Sequence, residues 1–174
     1  LNESLDFYVK AFELRKNIHL ENHPDIAISL NNIGNVYLSL NKPNDALNYY
    51  LKSFDMRKKF DFKPGENYSI ASLLDNIGSC YFKIGEIERS LHYFFESYEI
   101  FEKLYKGEDS AILAEVLKNM GRAYFKLESF EESLEFLTRS HAILKRICDP
   151  TSEDLAAILY YLGRVHFKLS NNIK

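Results

Sequence analysis

The sequence predicts an all-α fold in which about eight antiparallel helices stack as a solenoid, and three observations lead to this prediction. The 174 residues include only 7 Gly and 4 Pro, whereas an all-β fold needs a turn about every eight to twelve residues. One octet of residues recurs four times along the chain. A second segment, with a small-large-small pattern, recurs beside it. The chain is therefore expected to be built from repeated helix pairs.

The octet has leucine in its first position, glycine in its fifth and a ring side chain in its last. Its glycines are separated by 44, 43 and 42 residues, and a near-constant period in this range is typical of stacked supersecondary units. The four copies are Leu30–Tyr37, Leu74–Tyr81, Leu117–Tyr124 and Leu159–His166, and their glycines are Gly34, Gly78, Gly121 and Gly163.

The second segment carries its small, large and small residues at positions i, i+4 and i+7, which share one helical face. Small residues on that face let a neighbouring backbone approach, while the large residue fills the space between layers. A glycine inside a helix costs about 1 kcal/mol relative to alanine, so the octet glycine is expected where two helices cross closely. The triplets are Ser4, Tyr8, Ala11; Ala46, Tyr50, Ser53; Ser90, Phe94, Ser97; and Ser133, Leu137, Ser140.

Turn and cap residues separate the periodic segments. Pro24 and Pro43 each stand where a first helical turn tolerates proline, and Pro64 and Pro150 interrupt the chain between later segments. The predicted helices are about 2–18, 25–40, 43–60, 67–84, 87–105, 110–127, 130–147 and 153–169.

Composition argues against several classes of function. The net charge of −3, from 22 basic and 25 acidic residues, gives no general attraction for nucleic acid. Cys80 and Cys148 are far apart, the five histidines have no metal-ligand spacing, and the catalytic and nucleotide-binding motifs are absent. We therefore expect no enzyme activity, no metal and no cofactor, and we expect Cys80 to be buried and inert. No apolar run approaches the roughly 20 residues of a membrane span, so a cytoplasmic location without membrane association is expected.

The pattern Leu-x-Asn-Ile/Met-Gly-x-x-Tyr, followed by the small-large-small helix, resembles the tetratricopeptide repeat over almost the whole chain. The longer period, together with the segments Asn22–Ala27 and Leu30–Asn32, is similar to the roughly 42-residue variety found in kinesin light chain. The resemblance implies a right-handed α-α superhelix in which each repeat has an A helix and a B helix. It also implies that the A helices line a concave groove that binds peptides.

On this basis we predict one solenoid over residues 1–174. Its parts are the B helix of a partial repeat at 1–20, full repeats at 24–62, 66–106 and 109–148, and the A helix of a final partial repeat at 152–174. The predicted function is a scaffold that holds an extended, acidic protein or peptide segment.

One stripe of each A helix is expected to be exposed and to face the groove. Asn32, Asn76 and Asn119 occupy one equivalent position in it, and an amide both donates and accepts, as the backbone of an extended peptide requires. The alternative is that these amides bond helix ends or adjacent repeats. The predicted peptide-binding residues are Asn32, Asn35, Asn76, Lys83, Lys118, Asn119, Arg122, Lys126, Tyr161, Arg164 and Lys168.

The later A helices are richer in positive charge than the first. Arg122 with Lys126, and Arg164 with Lys168, are i, i+4 pairs of like charge, which cost a few tenths of a kcal/mol unless an anion offsets them. We expect an acidic ligand group here; the alternative is that Glu115, Glu135 or solvent neutralises the charges. The stripe Phe82, Phe125 and Phe167 is expected to pack between A helices rather than to anchor a ligand.

A different class of function is self-assembly. The first and last helices each lack the partner that would complete a repeat, so both are expected to leave apolar faces uncovered. A homo-oligomer that stacks through these terminal helices is the alternative prediction.

Overall fold

The computed structural model describes residues 2–18, 23–59, 67–149 and 151–172, and these residues form eight helices and no strand. The predicted all-α repeat fold is therefore confirmed. Phe60, the predicted end of the third helix, lies outside the described residues. The helices are α1 (Asn2–Ile18), α2 (Pro24–Ser39), α3 (Pro43–Arg57), α4 (Asn67–Ile84), α5 (Ile87–Tyr105), α6 (Ala111–Lys126), α7 (Phe130–Ile147) and α8 (Glu153–Asn172).

Proline begins two of the helices as expected. Pro24 and Pro43 stand in the first turns of α2 and α3, where the missing N–H group would have no helical acceptor. At α2 the Nδ1 atom of His23 also accepts a hydrogen bond of 3.2 Å from the backbone N–H of Asp25. Histidine thus takes the capping role more often filled by Ser, Thr, Asp or Asn.

The turn after each of α2, α4 and α6 contains one residue in the left-handed region. These residues are Asn41 (φ 55°), Gly85 (φ 99°) and Glu128 (φ 60°), and they stand one repeat apart. At Gly85 the backbone N–H donates to the carbonyl of Tyr81 over 3.0 Å, which closes the end of α4. The same backbone conformation therefore reverses the chain between helices in three repeats.

The contacts divide the chain into two compact units, Leu1–Glu86 (unit 1) and Ile87–Lys174 (unit 2). In unit 1, α2 packs against α1 and α3, and α3 packs against α4. In unit 2, α6 packs against α5 and α7, and α7 packs against α8. The repeat boundaries given above remain a prediction.

The octet glycines of α2 and α6 lie where a large side chain crosses the helix. A Cβ atom on Gly34 would be 2.6 Å from the ring of Tyr50, and one on Gly121 would be 2.6 Å from Cγ of Leu137. Tyr50 and Leu137 are completely buried. The predicted close crossing is confirmed at both glycines.

Gly163 of α8 departs from this pattern. A Cβ atom there would meet nothing within 4 Å, and Gly163 itself is exposed. The close crossing predicted for this copy is wrong, because among the described residues no helix follows α8 to supply the large side chain. Leu159, the first residue of the same octet, is 51% exposed for the same reason.

The small residues of the B helices also make hydrogen bonds. The Oγ atom of Ser53 donates to the carbonyl of Ala27 over 2.7 Å, and that of Ser140 donates to the carbonyl of Ala114 over 2.5 Å. Ser133 donates in the same way to the carbonyl of Gly121 over 2.7 Å. These buried hydroxyls therefore tie α3 to α2 and α7 to α6, at a net value of about 1 kcal/mol each.

Cys80 lies in the core of unit 1, as predicted. It is completely buried, and burial raises the pKa of its thiol from 9.0 to about 12. Cys148 is only half-buried. At neutral pH the thiol of Cys80 is therefore protonated and inert.

We predict opposite effects of one substitution at two equivalent glycines. Gly121→Ala should lower the free energy of unfolding by about 2 kcal/mol or more, because the new methyl group overlaps Leu137. Gly163→Ala should raise it by about 1 kcal/mol, because the site is open and alanine favours the helix. Urea unfolding followed by circular dichroism measures both. Equal effects at the two sites would contradict this account of the crossing.

We also predict a specific loss of stability at alkaline pH. Above pH 9 the unfolded chain releases the Cys80 proton, whereas the folded chain keeps it until about pH 12. Stability from this group is thus complete below pH 9 and falls by about 1.4 kcal/mol per unit above pH 10. The difference in unfolding free energy between the native chain and Cys80→Ala should shrink at that rate in urea titrations between pH 10 and 11 with reductant present. A constant difference would show that the thiol ionises equally in both states.

Candidate functional site

The predicted peptide-binding residues lie on the A helices α2, α4, α6 and α8, and they form what we call the A-helix stripe. Their exposure differs more than the sequence predicts, because Lys118 and Asn119 are buried, at 8% and 6% exposed. The expected exposure of those two residues is wrong; the role of the stripe in binding stays a prediction. Asn35, Lys83, Lys126, Arg164 and Lys168 are exposed, and Asn32, Asn76, Arg122 and Tyr161 are half-buried.

In unit 1 the stripe begins with two amides on α2. Asn35 accepts a hydrogen bond of 2.7 Å at Oδ1 from the hydroxyl of Tyr50, the residue that fills the Gly34 crossing. The packing of the core thus orients Asn35. Its NH₂ group is the part of the amide that remains to donate to a ligand carbonyl.

Asn32 and Asn35 share a hollow of about 170 Å³ with Ser4 and Tyr8 of α1. The hollow is small and lined by polar and apolar groups in about equal measure, which suits one peptide group or one short side chain better than a large one. Asn76 and Lys83, the other stripe residues of this unit, lie on α4. The amide and ammonium groups give the stripe of unit 1 a mixed donor and acceptor character.

In unit 2, Lys118 joins two A helices instead of facing a groove. Its ammonium group pairs with the carboxylate of Glu115 on α6 and, over 3.5 Å, with that of Asp154 on α8. A nearly buried cation needs such partners, because burial of an unpaired charge is very costly. Lys118 is therefore held by the fold, and Asp154 was missed because its position opposite Lys118 depends on how α6 and α8 pack.

Asn119 and Arg122 form a second linked pair on α6. Nη1 of Arg122 donates to Oδ1 of Asn119 over 3.3 Å. The guanidinium group also lies 5.5 Å from the ring centre of Tyr161, which stands at the octet position of Asn119 in α8. The amide of Asn119 thus accepts a bond from its own helix, and the contact between α6 and α8 at this level is made by Arg122 and Tyr161.

Aromatic rings hold the second arginine of the stripe. The guanidinium carbon of Arg164 lies 4.5 Å from the ring centre of Phe125 and 5.6 Å from that of Tyr160. Phe125 in turn meets Tyr161 edge to face at 6.4 Å, which confirms that it packs between A helices. Phe167 is 67% exposed, so the predicted packing role is wrong for that residue. We call Arg122, Phe125, Tyr160, Tyr161 and Arg164 the arginine-aromatic cluster.

A cavity of about 560 Å³ opens beside this cluster. Phe125 and Tyr160 line it together with Arg164 and Lys168. Glu115 is already engaged by Lys118, and no ion pair among the described residues joins a carboxylate to Lys126, Arg164 or Lys168. The cavity therefore combines an apolar wall with two cations, a combination that suits a ligand with a carboxylate or phosphate.

The part of the chain that the structure describes lacks two other kinds of feature. No group of three His, Cys, Asp or Glu residues there is arranged to hold a metal ion. None of the described helices combines the length and the apolar character that crossing a bilayer requires.

Comparisons with known proteins agree with the repeat pattern. The model of the tetratricopeptide repeat family matches residues 1–59, 69–145 and 112–173. No match was found among curated proteins.

Solved structures share the fold at low sequence identity. BtubC (BKLC) from P. vanneervenii matches with a TM-score of 0.82 and 20% identity, over 97% of this chain and 66% of that one. A Podosopora anserina protein, provisionally named a kinesin light chain with nearly identical TPR-like repeats, matches with a TM-score of 0.77 and 14% identity, over 98% and 79%. The first TPR of Spaghetti (RPAP3), solved bound to the HSP90 peptide SRMEEVD, matches with a TM-score of 0.62 and 18% identity, over 87% and 99%. The chain thus spans about two thirds of the first of these proteins.

Proposed function

Because the chain belongs to the tetratricopeptide repeat family, we propose that it is a scaffold, without catalytic chemistry of its own, that holds an extended acidic peptide on its A-helix stripe. The supporting observation is the arginine-aromatic cluster, in which Arg164 lies against two rings beside a cavity that Lys168 also lines. The RPAP3 domain of similar fold binds a peptide with two adjacent glutamates. A cytoplasmic location belongs to the same proposal.

The cluster prepares Arg164 for an anion. A guanidinium group stacked on a ring keeps its N–H donors in one plane, and these donors match the two oxygens of a carboxylate. The rings also restrict the side chain before the ligand arrives, so less conformational entropy is lost on binding. Lys168 lies one helical turn further along α8, and an anion between the two cations would relieve their repulsion.

The stripe amides would hold the peptide backbone. In unit 1 the Oδ1 atom of Asn35 is engaged by Tyr50, so this residue would act as a donor to a ligand carbonyl. Asn32 and Asn76 would contribute both donors and acceptors. Backbone contacts of this kind select an extended conformation but few side chains, so a preference for acidic side chains would have to come from cations such as Arg164 and Lys168.

We predict that removing two charges from α8 weakens acidic peptides selectively. A random dodecapeptide phage library selected on the native chain should be enriched in Asp and Glu. Arg164→Gln with Lys168→Gln should weaken the enriched peptides at least tenfold in fluorescence anisotropy, because charge-assisted hydrogen bonds are worth about 1.5 to 3 kcal/mol each.

The matched control is Lys103→Gln with Lys145→Gln, which removes the same charge from exposed positions on the B helices α5 and α7. This control should bind as the native chain does. Equal weakening in both double variants would mean that net charge alone governs binding, and enrichment without acidic residues would exclude the proposed ligand.

A second function, self-assembly, is favoured by the exposed faces of α1 and α8. Gly163 has open space where Gly121 meets Leu137, and Tyr8 of α1, which is 38% exposed, is equivalent in the repeat to Leu137. Tyr8 of one copy would therefore fill the space at Gly163 of another. Such a contact joins different surfaces of the two copies, so each copy keeps one surface free to bind a further copy.

We predict that assembly, if it occurs through these faces, depends on Tyr8. Sedimentation velocity from 5 to 200 µM, roughly the range in which weak contacts populate, should show a mass that rises above 20.3 kDa with concentration. Tyr8→Asp should remain a monomer. Phe7→Asp, at the preceding position of α1, introduces the same charge and should still assemble. A native chain that stays monomeric throughout would exclude this function.

A further inference from the structure

Unit 1 contains a groove on the side formed by its B helices, away from the A-helix stripe. Its volume is about 410 Å³. Phe12 and Lys16 of α1 form one wall, and Lys52 of α3 forms the other. The floor is made by Ile26 and Leu30 of α2. The groove is thus apolar at its base and carries a lysine on each rim.

The repeat identifies the equivalent position in unit 2. The small-large-small triplets align α1 with α5 at an offset of 86 residues and α3 with α7 at an offset of 87. Phe12, Lys16 and Lys52 then correspond to Tyr98, Glu102 and Arg139.

In unit 2 these three residues bridge the two B helices. Nη2 of Arg139 on α7 donates to the hydroxyl of Tyr98 on α5 over 2.6 Å and lies 3.7 Å from the carboxylate of Glu102. The guanidinium carbon also lies 5.4 Å from the centre of the Tyr98 ring. The hydroxyl of Tyr98 donates in turn to Glu102. A hydrogen-bonded ion pair therefore spans the space that corresponds to the groove.

Unit 1 has the opposite chemistry at the same three positions. Phe12 lacks a hydroxyl group, and the two remaining residues are both lysines, so attraction across the groove is replaced by repulsion. The ammonium group of Lys16 lies 5.5 Å from the ring centre of Phe12, and that of Lys52 lies 5.7 Å from that of Tyr49. Both contacts stay on the residue's own helix. No bridge between α1 and α3 exists here among the described residues of unit 1.

Asp55 completes the polar part of the groove. It lies on α3 among the lining residues, and no ion pair of the described residues joins it to Lys16 or Lys52. The rims therefore present two ammonium groups and the carboxylate of Asp55. The ammonium group of Lys16 also lies 3.9 Å from the carboxylate of Glu13 on its own helix, and both side chains are more than half exposed, so this pair contributes little. A ligand that supplies a carboxylate would do what Glu102 does for Arg139 in unit 2.

We propose that this groove docks a protein partner through a short segment that inserts one apolar side chain onto Ile26 and Leu30 and places an adjacent carboxylate between Lys16 and Lys52. The proposal is independent of the A-helix stripe, since it uses the B helices of unit 1. It would give the scaffold a second partner site on a different face, in which the apolar floor provides affinity and the lysines provide the preference for an acidic neighbour.

The test transfers the bridge of unit 2 into unit 1. The variant Phe12→Tyr, Lys16→Glu, Lys52→Arg installs the three residues that close the equivalent groove. The probe is a synthetic heptapeptide that alternates glutamate with leucine, and the readout is the change in backbone amide NMR signals of the full chain. The native chain should show changes at Phe12, Leu30 and Met56, and the variant should bind the peptide at least tenfold more weakly.

Controls separate this site from charge and from misfolding. Lys42→Glu, at the start of α3, changes the charge by the same amount as Lys16→Glu and should bind normally. Lys16→Gln with Lys52→Gln leaves the core intact and should weaken binding at least threefold, even if the triple variant fails to fold. Arg164→Gln with Lys168→Gln should leave the changes at Phe12, Leu30 and Met56 unaltered.

Three outcomes would overturn the proposal. The first is the absence of signal changes at these amides in the native chain at millimolar peptide. The second is equal affinity of the native chain and of the variant Lys16→Gln with Lys52→Gln. The third is equal binding of a peptide in which glutamine replaces glutamate, because the two lysines would then have no role in recognition.

Discussion

The close crossing of an A helix and a B helix at the octet glycine is the constraint on which the other features depend. At Gly34 and Gly121 the neighbouring side chain occupies the space of a missing Cβ atom, so the two helices approach more closely than any larger residue would allow. This contact fixes the rotation of the A helix. The leucine and isoleucine or methionine of the octet are then buried on one side, and Asn32 and Asn35 lie outside that core. Tyr50 shows the link directly, because it fills the crossing with its ring and holds Asn35 with its hydroxyl.

The fold could be predicted from the sequence alone because the repeat period identifies the helices and their buried faces. The octet and the triplet each report one face of a helix, and repetition makes chance agreement improbable. The sequence was less informative about the stripe. Helical spacing correctly predicted an exposed position for Asn35, Lys83 and Arg164 but not the burial of Lys118 and Asn119. The burial of Lys118 depends on Asp154, which lies 36 positions away on another helix. The contact of Arg164 could not be predicted either, because the ring of Phe125 that it lies against belongs to another helix, α6. Periodicity assigns a face to each residue; it does not assign a partner across helices.

The repeats share the residues that pack their helices together and differ in the residues on their surfaces. The glycines at the crossings, the large residues that pack on them and the serines that bond across helices have little freedom, because a replacement either overlaps a neighbour or removes a buried hydrogen bond. Positions on the rims of the B helices have no such restriction. In unit 2 they hold Arg139, Tyr98 and Glu102 in a bridge, and in unit 1 the same positions hold two lysines and a phenylalanine. Residues that differ between equivalent positions are therefore the ones that packing does not require and that are available for binding. One repeat by itself would not separate these residues from those needed for packing.

The two candidate surfaces use positive charge in different ways. Arg164 lies against aromatic rings, which restrict its motion and leave its donors in a fixed plane, so a carboxylate meets a prepared partner. Lys16 and Lys52 are compact charges on flexible stems, and Lys16 is about half exposed; an anion would have to order them, which costs up to about 2 kcal/mol of side-chain entropy for each lysine. The apolar floor of Ile26 and Leu30 has to offset that cost at about 25 cal/mol per Å² buried. Binding at the arginine-aromatic cluster should therefore depend mainly on the acidic group of a ligand, whereas binding in the B-helix groove of unit 1 should require an apolar side chain as well.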